Sequence, residues 1–263
     1  MSKLLDRLDA IDRGAPRAMG FAAHANQKPA PSLALLAWCG DLGRSDLASL
    51  ATLPVDSFIL PGGSSPEDLA KKTDHLGKAI WGIAVNKLVR TQAAGYREKG
   101  SDFLVFGIEE TMVDALEEGE CARVLRIPPH LEEPQLRGLE DLPVDIVLLQ
   151  RPKPEGPLRL AHLLAISNVR AMTSRYLLLE WDLELTAREL EHLRDVGVDG
   201  IVLNVEAIPH SIFTTLRERI DKLPHRKPRG EQRPVAVLPR AGGPANTRPQ
   251  RHEEDDDEEI DEP

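Results

Sequence analysis

The chain has 263 residues, of which 41% are hydrophobic and 29% charged, an ordinary globular composition. No stretch reaches the roughly 18 continuous apolar residues of a membrane span, and Met1 to Pro16 alternates charge with leucine instead of forming a signal-peptide core, so a cytoplasmic protein with no membrane partner is expected. The net charge of −10 is unevenly spread, because Glu253 to Glu262 carries nine carboxylates and no base, whereas residues 1–223 hold 26 bases and 33 acids; a body without basic excess is not expected to bind nucleic acid.

In chain order, residues 1–30 read as a helix over Lys3 to Ile11, with Leu4, Leu5 and Leu8 on one stripe, followed by an irregular lead-in containing Pro16 and Pro29. Residues 31–223 alternate short apolar runs with amphipathic stretches. The runs Leu33–Cys39, Phe58–Leu60, Ile80–Val85, Phe103–Ile108, Ala122–Ile127, Ile146–Leu149, Tyr176–Trp181 and Ile201–Val205 predict eight strands. Helices are predicted over Leu47–Thr52, Pro66–Leu76, Leu88–Lys99, Thr111–Glu118, Glu133–Leu139, Leu158–Met172, Ala187–Val196 and Ser211–Leu223. Strands apolar on both faces and separated by helices call for a parallel sheet covered by those helices. Residues 224–263 are rich in Pro, Gly, Arg and acid, with seven Lys or Arg and one acid up to His252 before the acidic tip. They are predicted to be a disordered basic-then-acidic tail, suited to engaging a protein partner.

An internal repeat supports the alternation. Asp56, Asp102, Asp145 and Asp199 each stand directly before an apolar strand, the second, fourth, sixth and eighth, at spacings that read as four copies of a two-strand, two-helix unit. At strand N-termini such carboxylates are expected to accept backbone N–H bonds, a structural role. Eight units in about 190 residues, repeated in this way, resemble the (β/α)8 TIM-barrel superfold over residues 31–223, with the N-terminal helix expected to plug the bottom of the barrel. The resemblance implies that chemistry sits at the C-terminal ends of the strands, and it implies nothing about which reaction is run.

That rule turns the strand map into candidates. Asp41, Glu109 or Glu110, Glu180, Asp182 and Glu206 follow strands one, four, seven and eight, and would converge on one mouth. Such acids suit either a divalent cation, Mg²⁺ or Mn²⁺, on Asp41, Glu180 and Asp182, or general acid–base work by Glu180, Glu109 and Glu206. Glu180 stands out because it ends the apolar run Leu177-Leu178-Leu179. Lys87, after strand three, is a candidate Schiff-base nucleophile or base. Acids after strands four and seven also resemble the layout of retaining glycosidases, although Ile108 rather than Asn precedes Glu109. The loops after strands seven and eight, Asp182-Leu-Glu and Glu206-Ala-Ile-Pro, are acidic where phosphate-binding barrels carry glycine, which disfavours flavin mononucleotide and sugar phosphates. Gly62-Gly-Ser-Ser-Pro reads as a turn with Ser65 as helix cap, and His130 and His210 as loop residues.

The expected function is thus a small-molecule enzyme, a lyase, isomerase or hydrolase, working through mouth carboxylates with or without a divalent metal. The alternative is a non-catalytic barrel that acts as an interaction or regulatory protein through its tail. Deleting residues 224–263 is expected to leave the thermal midpoint nearly unchanged, and a large drop would overturn the disordered-tail reading.

Overall fold

The computed structural model describes residues 2–13, 31–40, 49–62, 73, 76–116, 119 and 121–224. The chain divides into units of residues 1–228 and 229–263, the second lying wholly outside the described residues.

Eight parallel strands close into a barrel in sequence order: β1 (Ala34–Trp38), β2 (Ser57–Pro61), β3 (Ile80–Val85), β4 (Phe103–Phe106), β5 (Ala122–Ile127), β6 (Ile146–Leu149), β7 (Tyr176–Trp181) and β8 (Gly200–Asn204). The ring shuts where β8 pairs with β1 over five residues, from Ala34 opposite Gly200 to Trp38 opposite Asn204. The described helices are α1 (Lys3–Arg13), α2 (Arg90–Glu98), α3 (Glu133–Gly138), α4 (Leu160–Met172), α5 (Ala187–Val196) and α6 (His210–Asp221). The (β/α)8 expectation therefore holds, with strand ends within two residues of the predicted ones.

Alternation along each strand sorts the apolar residues into two cores. Outward residues such as Leu35, Phe58, Ile83 and Leu179 pack beneath the helices. Inward residues, among them Leu36, Ile59, Phe103, Val124, Leu148 and Val202, fill the barrel. Gly82 lies beside the Phe103 ring, where a β-carbon would come within 2.3 Å of it, so a side chain there and this ring could not coexist.

The bottom of the barrel is closed by α1. Leu4, Leu8 and Ile11, spaced as one helical stripe, are fully buried against the inward core, while Leu5 is only half-buried. The four strand-start aspartates explain how this end is tied. The backbone N–H of each donates to a carbonyl of the preceding strand, and three carboxylates return the bond: Asp56 accepts from Leu35 N, Asp145 from Arg123 N and Asp199 from Leu177 N, at 2.8–2.9 Å. Asp102 differs. Its carboxylate turns to the plug and accepts from Ser2 Oγ (2.7 Å), Lys3 N (2.8 Å) and Leu4 N (2.9 Å), capping the donors at the start of α1. Arg7 reaches Asp56 (2.8 Å), and Tyr176 donates its hydroxyl to Asp9. The structural reading of these aspartates is thus met.

One predicted element changes. The segment predicted as the helix Thr111–Glu118 contains only a 3-10 turn, Val113–Ala115, among its described residues. Its start is committed elsewhere: Met112 N donates to Leu88 O (2.9 Å), Leu88 N to Glu110 O (3.2 Å) and Thr111 Oγ1 to Gly107 O (2.7 Å). The predicted helix over residues 66–76 and the Ser65 cap fall outside the described residues, apart from Thr73 and Leu76. Just after the last helix, Pro224 O accepts from Ser32 Oγ (2.9 Å) and Arg194 Nη1 (2.5 Å).

Removing the Asp102 carboxylate should loosen the plug. Asp102→Ala is expected to cost about 1–2 kcal/mol, the value of a helix cap, read as a lower urea midpoint with an unchanged slope. Full retention of stability would mean that apolar burial alone holds α1.

Candidate functional site

At the opposite, C-terminal end the inward-facing positions become polar. Of the inward residues on the eight described strands only Arg126 and Glu180 are charged. Arg126 follows Ala122 and Val124 on the inner face of β5, and Glu180 follows Tyr176 and Leu178 on that of β7. They meet across the intervening strand: Arg126 Nε lies 2.6 Å from Glu180 Oε1 and Nη2 lies 2.9 Å from Oε2, a two-pronged pair with side-chain exposures of 36% and 19%. Trp38, the last residue of β1, holds its ring 5.0 Å from the Arg126 guanidinium carbon, so the cation is both ion-paired and stacked.

Two cavities open at this mouth and share Trp38 and Arg126 as their common wall. The smaller, about 190 Å³, also includes Glu180, Arg151, Asp182 and Asn204. The larger, about 610 Å³, is bounded by Asn86, Phe106, Glu109, Leu131 and Gln150.

Behind the small cavity a second cation is set in a similar manner. Arg151 stacks 4.6 Å from the Trp181 ring, donates to Gly156 O (2.5 Å) and pairs with Asp182. Trp181 is in turn met edge-on by the buried His162 ring at 5.4 Å. His162 Nδ1 accepts from Arg159 N (3.0 Å), so its proton sits on Nε2, 2.7 Å from Pro154 O. The loop between β6 and α4 is thereby clamped onto Trp181.

The candidates from sequence separate in space. Glu180 lies inside the mouth, Asp182 beside it on Arg151, and Glu109 lines the larger cavity as an exposed rim residue. Lys87 and Glu206 are exposed and line neither cavity, so the structure does not bring them together with Glu180. The Glu206 carboxylate instead fills the space over Gly40, where a β-carbon would come within 2.1 Å of it, and its N–H donates to Asn204 Oδ1 (2.9 Å). Burial pushes the thiol of the neighbouring Cys39 up to about 12, and the Glu206 charge adds to the effect. Asp41 lies outside the described residues, as do Gly63 and Ser64 of the glycine-rich turn. Among the described residues no three His, Cys, Asp or Glu side chains gather as a metal cluster, and both acids proposed to join Asp41 hold arginines instead. His130 is exposed in the loop after β5, as expected, whereas His210, also exposed, is the first residue of α6 and not a loop residue.

Sequence reasoning missed Arg126, Trp38 and His162. A signal existed for the first: Ala122, Val124 and Arg126 share one parity in the strand, so a charge there had to face the barrel interior. Its partner on β7 could not be read from the chain.

No protein-family model and no curated protein sequence matches this chain. Solved structures do match in shape. A mutant tryptophan synthase α-subunit from Pyrococcus furiosus aligns with a TM-score of 0.56 and 12% identity, over 72% of this chain and 97% of that one. An HpcH/HpaI aldolase/citrate lyase family protein from Burkholderia cenocepacia aligns at 0.54 and 11%, over 71% and 92%. Thiamine phosphate pyrophosphorylase from Pyrococcus furiosus aligns at 0.52 and 11%, over 72% and 96%. At these identities the likeness establishes the fold, a TIM barrel, without a family.

The Arg126–Glu180 pair is partly desolvated, so each partner should be costly to lose alone. A double-mutant cycle with Arg126→Met and Glu180→Gln is expected to give a coupling of about 1–3 kcal/mol in urea unfolding, and additive single effects would show the pair to be energetically idle.

Proposed function

We propose that the C-terminal mouth of the barrel is the site of a small-molecule enzyme, a lyase, isomerase or hydrolase, with Glu180 as its acid–base group. The observation that carries this reading is Glu180, the single inward carboxylate on the described strands, held beside the open cavities by Arg126. A charge is not kept inside an otherwise apolar barrel without a partner or a task. Here the partner leaves one face of the mouth open to a ligand. A carboxylate so placed can take a proton from carbon or oxygen of a bound molecule and return it, while the guanidinium beside it steadies negative charge that develops on that molecule. The proteins of matching fold include a synthase subunit, an aldolase/lyase family member and a pyrophosphorylase, in keeping with an enzyme.

A Mg²⁺ or Mn²⁺ ion would add Lewis-acid polarisation of a carbonyl. Glu180 and Asp182 are hard oxygen ligands of the right type, though each is engaged by an arginine here. The acidic rim, with Glu109 and Glu110 at the larger cavity, speaks against flavin mononucleotide and sugar phosphates as ligands.

The test is proton exchange in D₂O, followed by NMR, for a panel of small hydroxy, oxo and sugar acids, with Mg²⁺, Mn²⁺ or a chelator present. Exchange or turnover by the native protein, reduced about 100-fold or more in Glu180→Gln, is the expected result, and the metal arms decide whether a cation takes part. Equal rates in the two proteins would remove Glu180 from the chemistry. Absence of exchange and turnover across the panel would favour a non-catalytic barrel.

A further inference from the structure

The larger cavity is asymmetric in charge. Arg126 is the only cation among its described lining residues, at the inner wall, and the carboxylates Glu109 and Glu110 stand exposed at its rim. Between them the lining is amide and apolar: Gln150 and Asn86 on one hand, Val85, Phe106 and Leu131 on the other.

A guanidinium has two forks of parallel N–H donors. Arg126 spends only one on Glu180, through Nε and Nη2. The second fork, Nη1 with the remaining Nη2 hydrogen, has no acceptor among the described residues, and no Arg126 atom counts among the buried unpartnered groups. The cation is thus held in position by Glu180 and by the Trp38 ring, with a bidentate edge still to offer. Such an edge matches a planar carboxylate.

We infer that the larger cavity takes a small monocarboxylate, bound carboxylate-inward on the free fork of Arg126 and carrying a neutral or cationic group at its outer end. This rests on the reading of the mouth as a ligand site and names the class of molecule it accepts. Glu180 already offsets the Arg126 charge, so the free fork offers directed N–H donors and no net positive charge, enough to seat one carboxylate and not two. A second anionic end would lie toward Glu109 and Glu110 and be repelled, whereas an ammonium there would be attracted. Gln150, at the inward position after β6, and Asn86 supply neutral hydrogen-bonding groups for the middle of the molecule.

The experiment measures binding to the full chain by ligand-observed NMR for compounds of matched length: γ-aminobutyrate, butyrate, butyramide, n-butylamine, succinate and inorganic phosphate, each at about 10 mM to capture millimolar affinities. The expected order places γ-aminobutyrate first, then butyrate, with succinate, phosphate and n-butylamine weakest. Arg126→Gln should weaken the two monocarboxylates about tenfold or more. Because that change strands Glu180, the double variant Arg126→Gln with Glu180→Gln, which keeps the shape without the charges, is run beside it and should show the same loss. Succinate or phosphate binding as tightly as butyrate, or carboxylate binding that survives the double variant, would overturn the assignment. Butyramide matching butyrate would leave the mouth a ligand site and remove Arg126 as its anchor. No binding by any probe would count against both the anchor and the ligand site itself.

Discussion

Closure of the sheet by the five-residue pairing of β8 with β1 is the constraint on which the rest of this structure depends. A closed parallel barrel has no free edge, but its interior is a fixed volume that side chains must fill. At the bottom the strands cannot do this alone. The α1 helix supplies Leu4, Leu8 and Ile11, and Asp102 gives up the strand-to-strand bond made by the other three strand-start aspartates in order to cap that helix. A fourfold sequence repeat is thus broken at one copy, where the fold needs an anchor for its plug.

At the top, closure has the opposite result. Eight strand ends crowd around one mouth, and the inward position on β5 faces the inward position on β7. Arginine suits the first position better than lysine, because one planar group can pair with a carboxylate, stack on an indole and still present donors. Partial removal of two charges from water is unfavourable, and the two-pronged geometry offsets that cost only while both partners remain. The same logic repeats at Arg151, whose contacts to Trp181, Asp182 and Gly156 O fix the loop that walls the small cavity. At the mouth, therefore, a cation is held on two sides, by Glu180 and by the Trp38 ring, and keeps donors that no described residue engages.

Much of the fold was legible in the chain. Strands β3, β5, β6 and β7 run over the predicted residues, since their apolar blocks are sharply bounded. The strand-start aspartates were legible because the bond they make is local in the repeat. The segment from Thr111 misled because its amphipathic pattern suits a helix, whereas Leu88, more than twenty residues earlier, takes its backbone bonds. Lys87 and Glu206 were picked out by the rule that functional residues come after strand ends, but position after a strand does not say where a side chain goes: Lys87 is exposed and lines neither cavity, and Glu206 sits over Gly40.

By itself the sequence determined the fold class, the number and order of the strands, the plugging helix and the placing of Glu180 at a strand end, because these follow from periodicity and from local hydrogen-bonding chemistry. Only the tertiary structure decided which residues meet. The pairing of Arg126 with Glu180, 54 positions apart, the stacking of Trp38 on that arginine and the seating of Glu206 over Gly40 all depend on the stagger of a closed barrel. Stagger is set by how eight strands shut together, and no single segment carries it.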